Sequence, residues 1–68
     1  MAFKKGQQVL YSLPGSGKKV SAKIIERKID YHNNYISTPF AKGNFDYLIE
    51  IKRDGIIEHI FCIEEDLD

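Results

Sequence analysis

The chain has 68 residues, of which 43% are hydrophobic and 29% charged, and its ten basic and ten acidic side chains cancel to a formal charge of zero. A chain this short forms one domain, residues 1–68, with a thin core and no room for a deep catalytic cleft, so we expect no enzyme. It has no apolar stretch of membrane-spanning length and no secretion signal at the N-terminus, so we expect no membrane association.

The first half of the chain predicts two β-strands joined by a turn. The first strand covers residues 8–13 and ends at the Pro-Gly-Ser-Gly sequence of residues 14–17, which is typical of turns. The second strand, residues 18–29, alternates apolar and polar side chains as far as Ile24. Two adjacent isoleucines break the alternation there, which predicts a bulge or sharp bend near Ile25.

A long loop and a third strand follow. Residues 30–44 are too rich in Asn, Gly and Pro for a buried strand, and a loop of this length in a compact domain is usually functional or mobile. The third strand, residues 45–52, alternates again. It places Tyr47, Ile49 and Ile51 on one face, which we expect to be the buried one.

The last part of the chain predicts a hairpin and a terminal turn. The Asp-Gly pair at residues 54–55 is a strong signal for a tight hairpin turn. The fourth strand, residues 56–61, is apolar on both faces, so its pattern leaves open whether Ile57 or Ile60 points inward. The acidic stretch after it predicts a short turn, with Leu67 docked against the core.

Four short motifs occur in an order that resembles small SH3-like barrels. They are Lys5-Gly6-x-x-Val9, Val20-x-Ala22-x-Ile24, Asp54-Gly55 and Asp66-Leu67. Tudor-type domains are the most similar group, and small SH3-like accessory subunits of photosynthetic complexes share the general pattern. The resemblance implies an all-β fold, a five-stranded and strongly bent barrel with one long aromatic-rich loop.

Tudor-like domains typically bind methylated side chains in a cage of aromatic rings, because a quaternary ammonium is attracted to ring faces. The resemblance implies that Tyr11, near the end of the first strand, supplies one wall of such a cage. The third strand and its turn, where the family places its next recurring ring, contain no aromatic residue between positions 49 and 55.

Aromatic residues concentrate around the long loop, which holds five of the eight rings between positions 31 and 47. Tyrosine and phenylalanine give a large contact area for little lost entropy and are common in protein interfaces. The alternative is that the loop folds over an open barrel end and adds to the core. The partner-binding residues we predict are Tyr11, Tyr31, Tyr35, Phe40 and Tyr47.

Charge is segregated along the chain. Residues 1–28 hold seven bases and one acid, and residues 29–68 hold three bases and nine acids, which predicts a basic and an acidic face. The basic half could bind the phosphates of a nucleic acid through Lys18, Lys19, Lys23 and Arg27. A pI near 6.7 is low for a dedicated nucleic-acid domain.

The single cysteine, Cys62, excludes an internal disulfide and favours a reducing, cytoplasmic setting. Together with His32 and His59 it leaves too few ligands for a structural zinc site, so we expect no metal and no cofactor. The sequence thus favours a non-enzymatic protein-interaction module, an accessory or regulatory subunit, that binds a protein partner through residues 30–47. A nucleic-acid-binding barrel is the alternative.

Overall fold

A computed structural model of the chain describes residues 3–30 and 45–68. Four antiparallel strands form one sheet in the order β1-β2-β3-β4. The strands are β1 (Gln8–Ser12), β2 (Lys19–Arg27), β3 (Tyr47–Arg53) and β4 (Ile56–Cys62), and two 3₁₀ turns cover Lys28–Asp30 and Glu64–Asp66. The described residues contain no α-helix, so the prediction of an all-β chain is confirmed.

The hairpin between β3 and β4 turns at the predicted Asp-Gly pair. Asp54 and Gly55 both have positive φ, 53° and 79°, and Arg53 pairs with Ile56 on either side of them. Two consecutive residues with positive φ define a type I′ turn, whose twist matches that of the flanking strands. Glycine adopts such a φ without the steric cost that a Cβ brings, which is why the sequence holds Gly55 here.

The predicted bend in β2 is a β-bulge. Ile24 pairs with Ile49, and Glu26 pairs with the next residue of β3, Leu48, so Ile25 is the extra residue. Such a bulge bends its strand and increases the local twist. It also shifts the alternation of side chains by one, which puts Arg27 opposite the buried Tyr47.

The core lies on one face of the sheet. Ile24, Ile49 and Ile51 are its largest fully buried side chains. The other buried residues are Phe3, Val9, Tyr11, Ala22, Tyr47, Cys62 and Leu67. On β4 the structure resolves the alternative that the sequence left open, because Ile60 packs against this core and Ile57 is 58% exposed.

After the second 3₁₀ turn the chain returns to the free edge of β1. Tyr11 and Leu67 form an isolated antiparallel bridge, and the backbone of Leu10 exchanges two hydrogen bonds with that of Asp68, at 3.0 and 2.9 Å. Leu67 is 6% exposed, so the prediction that it docks against the core is confirmed. The return covers one end of the buried face.

The sequence predicts five strands and a closed barrel, and the described residues form four strands in a sheet that is not closed. The segment after β4 is too short to be a strand, because a 3₁₀ turn takes up three of its six residues and a single bridge follows. The predicted loop, residues 30–44, lies outside the described residues apart from Asp30.

Replacing Ile49 by valine tests the assignment of the core. Ile49 is 0% exposed, and removing one buried methylene leaves a cavity, so Ile49→Val should lower the free energy of unfolding by about 0.5–1.5 kcal/mol. The matched control is Ile57→Val on the exposed side of β4, which should change it by less than about 0.5 kcal/mol. Urea denaturation followed by circular dichroism measures both, and equal losses would contradict the assigned face.

Candidate functional site

An open groove of about 610 Å³ lies between the tips of the two hairpins. We call it the hairpin groove. Tyr11 on β1 and Ile60 on β4 both line it, although these strands lie at opposite ends of the strand order, so the sheet must be strongly curled. The full lining is Tyr11, Leu13, Pro14, Ser16, Lys18, Arg53 and Ile60.

One wall of the groove is the turn between β1 and β2. Gly15 and Gly17 have φ of 79° and 72°, which lets the chain reverse within a few residues. The turn is closed by a backbone hydrogen bond of 2.7 Å from the Leu13 N–H to the Lys18 carbonyl. The Lys18 N–H donates to the Ser16 hydroxyl oxygen at 3.2 Å, so Leu13 and Lys18 have fixed backbone positions.

The floor of the groove is apolar. The Tyr11 ring is 4% exposed and belongs to the core, while Leu13 and Ile60 are partly buried against that core. Burial raises the pKa of the Tyr11 phenol, and the nearby Cys62 and Asp66 raise it further, so the ring is neutral at physiological pH.

Two cationic side chains stand at the rim. Lys18 is exposed and forms no ion pair within residues 3–30 and 45–68. Arg53 is held in place by Glu58, whose Oε1 accepts hydrogen bonds from Nε at 3.2 Å and from Nη2 at 3.0 Å. This leaves Nη1 of Arg53 with no hydrogen bond to any described residue. The rim therefore carries the exposed charge of Lys18 and the guanidinium of Arg53, whose charge is balanced by Glu58.

The predicted partner-binding rings fall into two groups. Tyr11 and Tyr47 are core residues, 4% and 2% exposed, so their rings offer little surface to a partner. The Tyr47 hydroxyl accepts a hydrogen bond from the Phe3 N–H at 3.1 Å and donates one to Glu64 at 3.0 Å, which ties the N-terminal segment to the second 3₁₀ turn. The other three, Tyr31, Tyr35 and Phe40, lie outside the described residues.

The four predicted phosphate-binding residues do not form a cluster of free cations. Lys19 is paired with Asp68, and Arg27 bonds both carboxylate oxygens of Asp30 as well as the carbonyl of Phe3. Lys23 lies on the outer face of the sheet. Lys18 stands alone at the hairpin groove.

Ion pairs also join the two halves of the chain that differ in charge. Lys19 pairs with Asp68, and Lys28 approaches Asp46 to 3.7 Å. Because β1 and β2 lie beside the chain end and β3, bases of the first half meet acids of the second. Within the described residues the predicted separation into a basic face and an acidic face is partly cancelled by these contacts.

A second pocket, of about 390 Å³, lies at the chain end and is lined by Phe3, Glu64, Glu65, Leu67 and Asp68. Its polar groups are already engaged in part, since Glu64 bonds the Tyr47 hydroxyl and Asp68 pairs with Lys19. No group of three or more His, Cys, Asp and Glu among the described residues is placed to hold a metal ion.

His59 and Cys62 point to opposite sides of β4, as expected for residues three apart on a strand. His59 is exposed and lies 3.2 Å from Glu50, whereas Cys62 is a buried free thiol, 2% exposed. Burial raises the pKa of Cys62 to about 12, with smaller contributions from Asp66 and Asp46. Cys62 is therefore a protonated core residue at neutral pH.

Most residues of the hairpin groove have no signature in the sequence. Leu13, Arg53 and Ile60 come from three separate segments and meet only because the sheet curls. Tyr11 and Lys18 are among the predicted site residues, although for two different functions. The glycine-rich turn beside Lys18 is the one local signal that could have pointed to this end of the domain.

Comparison of the sequence with protein-family models found no match, and neither did comparisons with curated proteins and with solved structures. Within the described residues, no helix is long and apolar enough to cross a membrane. The candidate site thus rests on its own geometry.

Labelling of Cys62 tests its burial. With a pKa of about 12 against an ordinary value near 8.5, the folded chain holds on the order of a thousandfold less thiolate at pH 8 than the unfolded chain. A disulfide reagent should therefore react far more slowly in buffer than in urea. Equal labelling rates would contradict a buried thiol.

The same thiol makes the stability of the fold depend on pH. Because its pKa is higher in the folded chain than in the unfolded chain, its contribution to stability is complete below about pH 8.5 and is lost toward pH 12.

Proposed function

We propose that this chain is a small non-enzymatic protein-interaction module, an accessory or regulatory subunit with an SH3-like barrel fold. The observation that carries the proposal is the hairpin groove, an open depression with an apolar floor of Leu13 and Ile60 and exposed charges only at its rim. Binding sites of about 300–1,000 Å³ commonly combine apolar walls with a few polar groups in this way.

Two features support the SH3-like part of the proposal. The bulge at Ile25 lets β2 bend, so that both of its halves can turn an apolar face to one core. The return of Leu67 to β1 brings the chain end back to the first strand, as closure of a small barrel requires. In this fold the Tyr11–Leu67 bridge would be a fifth strand reduced to one pair.

The chemistry of the groove favours a protein partner over the alternative, a nucleic acid. Single strands are bound by stacking bases on exposed aromatic faces along a basic groove. Tyr11 is the one ring that lines the groove among the described residues, and at 4% exposed it presents almost no face. Lys19 and Arg27 are held by carboxylates, which leaves few cations for phosphates.

The partner is expected to meet the domain at the hairpin groove, at the predicted aromatic segment of residues 30–47, or at both. The groove lies at the hairpin tips, whereas residues 31–44 connect the other ends of β2 and β3. Separate variants can therefore address the two surfaces. A cytoplasmic setting belongs to the proposal, because Cys62 is a lone free thiol.

Selection from a random peptide display library tests whether the domain binds peptides at the groove. Ser16 lines the groove in an exposed turn, and Ser16→Trp should block it and reduce binding of the selected peptides at least tenfold. The matched control, Ser21→Trp on the outer face of β2, should bind as the parent chain does, since strands tolerate aromatic residues.

The outcomes separate the two surfaces. Loss of binding in Ser16→Trp alone supports the groove, and loss in a Tyr31→Ala/Tyr35→Ala variant alone supports the aromatic segment. A library that yields no binding peptide would contradict the protein-interaction proposal. A mixed-sequence oligonucleotide that binds at low salt and dissociates as salt rises would favour the nucleic-acid alternative.

A further inference from the structure

We infer that the hairpin groove selects an acidic partner segment, a short extended stretch in which carboxylates flank an apolar side chain. This inference rests on the proposed function and adds the chemistry of the partner. Its basis is that Lys18 on the β1–β2 turn and Arg53 at the end of β3 line the same groove as the apolar Leu13 and Ile60.

The rim excludes the ligand that the resemblance to Tudor-type domains implies. A methylated ammonium needs several aromatic faces and no competing cation. The groove instead offers a buried Tyr11, and the exposed Lys18 would repel a positive ligand. Lys18 attracts a carboxylate, and Nη1 of Arg53 can donate a hydrogen bond to one, so the site favours a ligand with acidic groups.

The guanidinium of Arg53 is oriented before a carboxylate binds. Glu58 accepts hydrogen bonds from Nε and Nη2, which fixes the plane of the guanidinium and leaves Nη1 with no hydrogen bond to a described residue. A donor fixed before binding loses less entropy when a carboxylate arrives than a free side chain does. Lys18, exposed on a turn held by Ser16, supplies a positive charge at the same groove.

The apolar floor supplies binding affinity that the exposed charges alone do not. Exposed ion pairs contribute little affinity, and they are weakened by salt. Leu13 and Ile60 are partly buried against the core and remain in contact with the groove, so an apolar side chain placed between them removes further apolar surface from water. An apolar anchor with an acidic flank on each side therefore matches the site in both properties.

Three capped peptides of equal length test the inference, each with two central leucines and flanked by glutamate, by glutamine or by lysine. Titration of the ¹⁵N-labelled chain should show that the glutamate peptide shifts the amides of Leu13, Lys18, Arg53 and Ile60. The glutamine peptide should bind about fivefold more weakly, as expected for an exposed ion pair with Lys18 and a hydrogen bond from Arg53, and the lysine peptide weaker still. Added salt should remove the preference for glutamate over glutamine.

A charge-reversal variant distinguishes binding at the hairpin groove from a general attraction of the chain to acidic peptides. Lys18→Glu should weaken binding of the glutamate peptide by about fivefold and leave the glutamine peptide within about twofold. Lys4→Glu makes the same change of charge at an exposed residue that does not line the groove, and it should leave both peptides unaffected.

Equal affinity for the glutamate and glutamine peptides would overturn the inference while leaving the protein-interaction proposal intact. So would a failure of all three peptides to bind while library selection still yields binders. Failure of the library as well would overturn both. An oligonucleotide that shifts the same four amides more strongly than the glutamate peptide would overturn the inference in favour of nucleic acid.

Discussion

The bulge at Ile25 is the constraint on which the rest of the structure depends. A single sheet in a chain of 68 residues has one face to bury, and without a second layer it must curl over that face. The extra residue bends β2, and Ile24 and Arg27 then both lie on the inner row. The curl brings Tyr11 on β1 and Ile60 on β4 to the same groove. The hairpin groove is thus a consequence of how the core is covered.

The fold also mixes the charges of the two halves. In the sequence, bases and acids are separated by position along the chain, but the pairing of β2 with β3 already brings Lys28 near Asp46. In the fold, Asp68 returns to β1 and pairs with Lys19, which lies at the start of β2. Lys18, one residue earlier, stays at the groove without an ion pair among the described residues. Lys18 is therefore a charge that the domain can offer to a partner.

Local patterns in the sequence predict the secondary structure well, because each depends on neighbouring residues. The break in the alternation of apolar residues predicts the bend near Ile25, and the Asp54-Gly55 pair predicts its turn. The hydrophobicity of Leu67 predicts that it docks against the core. The site could not be predicted in this way, since Leu13, Arg53 and Ile60 meet only through the curl. Tyr11 illustrates the difference, because a ring in a strand suits a binding surface and a core equally, and only the fold shows that this ring is buried in the core.

If an apolar side chain of a partner enters the hairpin groove, it should contact Leu13 and Ile60. Isotope-filtered nuclear Overhauser spectroscopy of the labelled chain with the leucine-containing acidic peptide measures such contacts. We expect contacts from the peptide's leucine methyl groups to the side chains of Leu13 and Ile60. Contacts confined to the outer face of the sheet, near Lys23 and His59, would contradict it.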